Sequence, residues 1–340
     1  MKAIEIQKFG LDGLAIVDRP VSEPGPGEVL IKFHAASVNR RDLMVAEGTY
    51  NPRMKLPAIP LSDGAGEIDA VGSGVHQWSV GDRVMPIFAQ RWFDGDPSAE
   101  IRRTSLGAGP FWDGVMREFG VFSADSIVRI PDHLSYEEAA TLPCAALTAW
   151  NALVESGKLK AGDTVLTLGT GGVSLFAVQF AKMFGARVIA TTSSDAKAVR
   201  LKDLGADETI NYMQFEAWEE KVLELTNGPG VDHVVEVGGA DTLPRSIRSV
   251  RLGGHIALIG ALSGGTGFDA VSVFMKSIRL QGIYVGSKRM FLEMNRAISA
   301  NQMAPVLDKV YEFEEIAAAL VRMRSGEHFG KIAVRIGSHR

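Results

Sequence analysis

The hydrophobic pattern of the chain changes character near residue 130. Before that point, short apolar stretches at 29–35, 66–71 and 83–87 are separated by punctuation such as Glu23-Pro24-Gly25-Pro26-Gly27 and Val80-Gly81-Asp82. This spacing predicts a strand-rich unit with few helices. The opening MKAIEIQKFG alternates apolar with polar positions and reads as a strand, not as a secretory signal. After residue 130 the period lengthens. Residues 132–152 read as helical, with Ser135 and Glu138 placed as a capping box. Strands are then expected at 164–168, 187–192, 208–211, 231–237, 255–259 and 280–285, and helices at 173–184, 195–204 and 215–225. The strands are short and rich in Val and Ile, as strands covered on both faces are.

Strands alternating with helices predict an α/β fold, a doubly wound parallel six-stranded sheet of the Rossmann type. The last apolar stretch, 330–336, reads as a strand that returns to the first unit. A length of 340 residues suits about two domains. Composition then narrows the classes. Lys and Arg total 36 against 40 Asp and Glu, a net charge of −4, so no nucleic-acid partner is expected. Hydrophobic content of 46% with 22% charged residues is that of a soluble globular protein. The longest uncharged window, 164–181, is broken by Gly169-Thr170-Gly171-Gly172. It reads as strand, turn and helix, so no membrane span is expected and a cytoplasmic location is. The single cysteine, Cys144, excludes an internal disulfide and a Cys-rich metal site. Histidines such as His34, His76 and His233 show no metal-ligand spacing.

The sharpest local motif is the strand Val165-Leu166-Thr167-Leu168 running into Gly169-Thr170-Gly171-Gly172-Val173-Ser174 and then a helix. Gly169 permits a tight turn, and Gly171 removes a side chain that would block a pyrophosphate. The helix that follows presents N–H groups and a positive dipole end to the anion. Ser174 replaces the third glycine of the usual fingerprint and is small enough for close packing. An NAD site calls for an Asp or Glu at the end of the second strand. Here that strand ends Thr192-Ser193-Ser194, and Asp195 falls at the start of the next helix. Two hydroxyls with Lys197 and Arg200 one turn away suit a 2′-phosphate, which predicts NADP(H) as cofactor. The competing reading makes Asp195 an N-cap and leaves the two cations on a solvated face.

Several stretches together resemble the medium-chain dehydrogenase/reductase superfamily over essentially the whole chain. They are Gly27-Glu28-Val29-Leu30-Ile31-Lys32, Asp63-Gly64-Ala65-Gly66-Glu67 with Val71-Gly72 and Gly74-Val75, Val80-Gly81-Asp82-Arg83-Val84, and Leu142-Pro143-Cys144-Ala145-Ala146-Leu147-Thr148-Ala149-Trp150. The resemblance implies a GroES-like β-barrel catalytic domain from both chain ends, residues 1–130 and 288–340. Around residues 131–287 it implies a Rossmann domain for NADP(H). Where the family's zinc alcohol dehydrogenases carry ligands, this chain has Asn39 and Ser62, and keeps only Cys144. Three ligands of N or S type are required, so no catalytic zinc is expected. The stretch that would hold a structural zinc, 89–113, has no cysteine.

The chain is thus more similar to the zinc-independent quinone oxidoreductase-like enzymes and enone reductases. In that branch an Asn-x-x-Asp motif and a later Tyr line the substrate cleft, which points to Asn39, Asp42 and Tyr50. A tyrosine often found two residues after the Asp is Met44 here. The same resemblance places Thr148, Ile259, Gly260, Gly286 and Ser287 along the nicotinamide, with Lys331 near it, and Lys197 and Tyr212 about the 2′-phosphate. Bland readings stand beside these. Asn39 caps a helix starting at Arg40, Asp42 partners Arg40 or Arg83, Tyr50 packs, and Cys144 is an inert buried thiol.

The implied activity is hydride transfer from NADPH to a quinone or α,β-unsaturated carbonyl. A zinc-free NADP-dependent alcohol or aldehyde dehydrogenase and a non-enzymatic NADPH-binding protein are the alternatives. The stretch from Arg91-Trp92-Phe93-Asp94 to Gly109-Pro110-Phe111-Trp112 is either a lid over the cleft or a surface insertion packed by its own aromatics. An apolar strand at the sheet edge predicts a homodimer.

Overall fold

The computed structural model describes residues 1–108, 112–260 and 269–337. They fold as two compact units, Met1–Leu147 with Gly286–Arg340, and Thr148–Val285.

The inner unit is built on six parallel strands. Their order across the sheet is Glu208–Asn211, Arg187–Thr192, Thr164–Thr167, Val231–Glu236, Val250–Leu258 and Arg279–Gly282. Chain order therefore runs outward from the first strand, then reverses and continues on its other side. In such sheets the crevice at the reversal, beyond the carboxyl ends of the strands, is the place for a ligand. The strand interiors are apolar because helices such as Gly172–Met183 and Leu243–Ser249 pack on the sheet. Val165, Leu166, Val188, Ile189, Val234 and Ile256 are wholly buried. The expected strand at 280–285 is shorter and earlier, Arg279–Gly282, because the backbone turns away before Val285, whose φ is +42°.

The outer unit holds a seven-stranded mixed sheet and a separate hairpin, Lys2–Ile6 with Leu14–Asp18. Its central member is Glu28–Val38, longer than its apolar run suggested, which pairs antiparallel with Asp63–Val71 and with Phe119–Ser123. Gly66 lies where this pairing is tightest. A Cβ there would sit 2.1 Å from the carbonyl oxygen of Lys32, so only glycine fits. The C-terminal strand Lys331–Arg335 returns to the same sheet, with Ile332 opposite Val38. The core beneath includes Phe33 against Phe122, Leu43, Ile68 and Ile332.

The helix expected over 132–152 is interrupted. Ser135 and Glu138 do form the capping box, but it caps only Tyr136–Ala139. After a break at 140–141 the chain is helical again, π-helical at Leu142–Ala146, where Pro143 sits in the first turn and needs no N–H, α-helical at Leu147–Trp150 and π-helical at Asn151–Ser156. The aromatic loop is held at its start. Trp92 is buried and donates from Nε1 to Gly95 O at 2.9 Å, and Asp94 pairs with Arg289 at 2.7 Å. Gly109, Pro110 and Phe111 lie outside the described residues.

Candidate functional site

In the outer unit the strand Glu28–Val38 runs directly into the helix Arg40–Ala46, and Asn39 is the N-cap. The backbone N–H of Asn39 donates to Asp42 Oδ2 at 2.8 Å, which fixes both side chains at the strand end. The returning strand places Lys331 beside them. Its Nζ donates to Asn39 Oδ1 at 2.6 Å and to Val38 O at 2.8 Å. Asp63 opens the facing strand, opposite Ser37, and accepts from Ser62 Oγ at 2.8 Å and from the Cys144 N–H at 3.1 Å. Arg41 reaches Asp42 Oδ1 at 3.4 Å and Leu106 O at 3.1 Å, with its guanidinium about equally far from the rings of Tyr50 (5.1 Å) and Phe88 (4.9 Å). Asp42, Asp63 and Lys331 are almost wholly buried, whereas Tyr50 is 41% exposed.

Buried charges of both signs make this a strongly coupled site. Burial pushes the Asp63 carboxyl up, while the Lys331 charge and the amide of Asn39 pull against it. Apart from that approach to Asp63, Asn39 Nδ2 has no hydrogen-bond partner among the described residues. Burial raises Asp42 to about 6, opposed by Arg41 and reinforced by the charge of Asp63. Burial lowers Lys331, and the nearby Asp63 opposes that. The Cys144 thiol is pushed far up by burial and then by Asp63, so it remains a protonated thiol.

In the inner unit the strand Thr164–Thr167 leads into the glycine turn. Gly169 has φ +71°, a conformation that favours glycine, and its N–H donates to Thr191 Oγ1 at 3.2 Å. A Cβ on Gly169 or Gly171 would meet open space, so the turn leaves room beside its backbone. Gly171 is the N-cap of Gly172–Met183, whose first turn, with Val173, carries no acidic residue. That is a helix N-terminus free to face an anion. Ser174 Oγ donates back to Leu168 O at 2.7 Å and closes the turn.

Residues 25–132 match the alcohol dehydrogenase GroES-like domain, and residues 172–300 match the zinc-binding dehydrogenase family. A zinc-type alcohol dehydrogenase-like protein of Schizosaccharomyces pombe is 43% identical over 92% of this chain and 91% of its own length. The chain belongs to the medium-chain dehydrogenase/reductase superfamily. A putative alcohol dehydrogenase from Sinorhizobium meliloti superposes with a TM-score of 0.91 at 37% identity, covering 98% of each chain. A mycobacterial protein solved with NADPH superposes with a TM-score of 0.83 at 31% identity, over 99% of this chain and 100% of that one. Relatives also include quinone oxidoreductases of Pseudomonas aeruginosa and Sus scrofa and a crotonyl-CoA reductase of Streptomyces avermitilis. This member of the superfamily is an NAD(P)H-dependent oxidoreductase related to those reductases.

The family's zinc does not fit the residues present. Among the described residues no group of three or more His, Cys, Asp or Glu could hold a metal ion. At the ligand positions stand an amide, Asn39, a hydroxyl, Ser62, and a thiol, Cys144, held in its protonated form. The ammonium of Lys331 already occupies Asn39 Oδ1, and a second cation beside it would meet like-charge repulsion.

The other expected residues fall as follows. Asn39, Asp42, Tyr50 and Lys331 gather in the outer unit, where Gly286 and Ser287 also lie; Ser287 caps the helix Lys288–Ala300. Thr148, Thr170, Ser193, Ser194, Lys197, Tyr212, Ile259 and Gly260 belong to the inner unit. Asp195 is not the cap of its helix. Ser194 is, accepting from the Lys197 N–H at 3.3 Å, because its shorter side chain sits at the extended residue before the first turn. Asp42 partners neither Arg40 nor Arg83: its ion pair is with Arg41, while Arg83 donates to Leu134 O at 2.6 Å.

Arg41 and Asp63 carried no sequence signal as site residues, and Glu236 carried only a faint one. Glu236 ends the fourth strand wholly buried, and its carboxylate accepts from Gly238 N (2.7 Å), Gly239 N (3.0 Å), Thr242 Oγ1 (2.6 Å) and Ser246 Oγ. It thereby fixes the loop at the carboxyl edge of the sheet. A glutamate beside Val237-Gly238-Gly239 was a faint clue, since paired glycines free two amides for one carboxylate.

The raised Asp42 pKa predicts a stability profile. The folded protein holds this proton more tightly than the unfolded chain. The contribution is therefore full below the ordinary carboxyl value, about 4, and is lost as pH rises through about 6. Asp42→Asn removes that loss. Urea midpoints of the variant should gain on those of the parent between about pH 4 and 6 and run parallel above; parallel curves throughout would refute the assignment.

Proposed function

We propose that this oxidoreductase transfers hydride from NADPH to a quinone or an α,β-unsaturated carbonyl without a catalytic zinc. The observation that carries the reading is the buried Lys331–Asn39–Asp63 network, which puts a fixed ammonium among the ligand positions of the family's zinc. Reducing an isolated ketone concentrates charge on one oxygen, which a metal would stabilise as a Lewis acid. A conjugated acceptor spreads that charge and makes a weaker electrostatic demand. In this reading the outer unit is the split barrel that binds substrate and the inner unit binds the cofactor.

NADPH supplies the hydride when bound at the glycine turn, with Gly169, Thr170, Gly171, Gly172 and Val173 about the pyrophosphate. Thr148, Ile259, Gly260, Gly286 and Ser287 would line the nicotinamide. Ser193, Ser194, Lys197 and Tyr212 would receive the 2′-phosphate. On the substrate side, Asn39 Nδ2 is a buried donor with spare capacity, suited to a carbonyl oxygen that gains charge. Lys331 holds that amide by its other end. Tyr50, half out in solvent, can donate its hydroxyl proton to the product and recover one from water. Asp42 fixes the backbone at Asn39. The quinone oxidoreductase and crotonyl-CoA reductase relatives and the NADPH complex support this choice of acceptor and cofactor.

A homodimer belongs to the same proposal. The strand Arg279–Gly282 is the last of its sheet, and the helix before it exposes Val271, Phe274 and Met275. An open edge beside apolar side chains is a surface that soluble proteins cover. Sedimentation at micromolar concentration should give twice the chain mass of 36.6 kDa; a monomer there would remove this part of the proposal.

The purified protein should oxidise NADPH with members of a quinone and enone panel while its zinc content stays far below one per chain. Inactivity with both classes, or turnover confined to simple alcohols with NADP⁺, would overturn the substrate reading. Ser193→Asp places a carboxylate at the end of the second strand. It should shift the NADPH-to-NADH preference by about tenfold or more toward NADH, and an unchanged ratio of kcat/KM values would refute the cofactor reading.

A further inference from the structure

The helix Arg40–Ala46 ends in a reversal that carries the chain back along it. The Glu47 N–H donates to Leu43 O and the Gly48 N–H to Val45 O. Gly48 turns with φ +77° against the ring of Phe9, where a Cβ would stand 2.6 Å from Cγ. The N–H groups of Thr49 and Tyr50 then both donate to Met44 O, at 2.9 and 3.1 Å. Met44 lies one helical turn from Arg41 on the same face. The reversal thereby delivers Tyr50 to the Arg41 guanidinium.

Four groups meet at that guanidinium. Nη1 donates to Leu106 O at 3.1 Å and pairs with Asp42 Oδ1 at 3.4 Å. Cζ stands 5.1 Å from the centre of the Tyr50 ring and 4.9 Å from that of Phe88. Nε and Nη2 are buried and have no hydrogen-bond partner among the described residues. An ammonium in this place would need partners for three donors, whereas a guanidinium is planar, weakly hydrated and at ease against aromatic rings. Asp42, Phe88 and Leu106 are buried, and Tyr50 is 41% exposed. The guanidinium therefore takes its place from the three buried groups and imposes it on the fourth.

We propose that Arg41 is a positioning residue that holds the Tyr50 hydroxyl at the reacting centre. The inference rests on the reading of Tyr50 as proton donor. Hydride addition to the β-carbon of an α,β-unsaturated carbonyl leaves an enolate anion. Tyr50 gives its O–H proton to that anion, which completes the reduced product, and becomes a phenolate. The Arg41 charge stands beside the ring while it is a phenolate, and water then returns the proton. A ring free to swing in solvent would meet the enolate only part of the time. Loss of the clamp therefore lowers kcat, while NADPH affinity, set in this reading chiefly by the inner unit, stays.

The test combines Arg41→Lys, Tyr50→Phe and the double variant, each followed by enone reduction and by NMR of ring-labelled tyrosine. Arg41→Lys keeps a charge opposite Asp42; should it not fold, Arg41→Gln takes its place in the same measurements. Tyr50→Phe keeps the ring on the guanidinium and removes only the hydroxyl, and it assigns the Tyr50 signal among the chain's five tyrosines. In Arg41→Lys, kcat should fall about tenfold with KM for NADPH unchanged, and the Tyr50 signal should move toward that of free tyrosine. The double variant should be no slower than Tyr50→Phe alone, because without the hydroxyl there is nothing left to position. A purely structural Arg41 would cost the same in both backgrounds. Such additivity, full kcat in Arg41→Lys, or an unmoved Tyr50 signal would each overturn the proposal while leaving the donor reading intact. Full kcat in Tyr50→Phe would instead overturn the donor reading, and this proposal with it.

Discussion

The outer unit depends on one buried charge. Lys331 has almost no solvent around its ammonium, and such a group is tolerable only if its hydrogen bonds and its counter-charge are supplied by the fold. They come from two different segments, Val38 and Asn39 at the end of the central strand and Asp63 at the start of its neighbour, brought to the C-terminal strand that carries the lysine. The pairing of Ile332 with Val38 is what makes them converge. A shift of that register by one residue would turn Lys331 to the opposite face of the sheet and leave Asp63 without its cation. The chain's last strand is thus locked to its first unit by electrostatics as well as by backbone hydrogen bonds.

The same charge decides what the site can hold. In a metal site the ligands must be deprotonated thiolates, neutral imidazoles or carboxylates. Here the one thiol is pushed away from ionisation by burial and by Asp63, and the amide that stands in another ligand position is already bound to an ammonium. Asp42 feels the same mixture: burial and Asp63 disfavour its charge by more than Arg41 favours it. The cluster therefore carries charge that is fixed in place by the backbone rather than imported with an ion. Such fixed groups need little reorganisation when charge develops nearby.

How far this was readable in advance depends on whether the signal was local. The six inner strands announce themselves, because each is a short Val- and Ile-rich run bounded by turn residues, and the glycine turn falls between a strand and a helix. The helical pattern at 132–152 is met from Tyr136 onward with a break at 140–141, but its apolar period does not encode the π-helical hydrogen bonding of Leu142–Ala146 and Asn151–Ser156. Asn39 and Asp42 stood in a recognisable motif, and the motif's geometry is local, one N–H to one carboxylate three residues on. Lys331 pairs with Asn39 across 292 residues of sequence, and Asp63 meets the Cys144 N–H across 81. No periodicity encodes such contacts; they exist only once the sheet register is set. Arg41 was hidden for a related reason, since an arginine next to an aspartate reads as surface charge until Tyr50 and Phe88 are seen to close on it.

The proposed preference for NADPH turns on how the polar groups after the second strand are engaged. Two serines and an aspartate follow the second strand, and any of them is chemically able to meet a ribose. Ser194 accepts the helix-capping bond with its hydroxyl oxygen, which leaves its O–H to donate. Asp195 spends its carboxylate on Asn211 Nδ2 at 2.7 Å and Gln214 Nε2 at 2.9 Å, contacts that turn it toward the following strand. Ser193 is a second hydroxyl, and it is exposed. A carboxylate already paired with two amide donors has little capacity left for a ribose 2′-OH, and it does not offer the bidentate acceptor that NAD sites use. In the proposed NADPH reading, what matters is therefore less the presence of a carboxylate than its prior engagement.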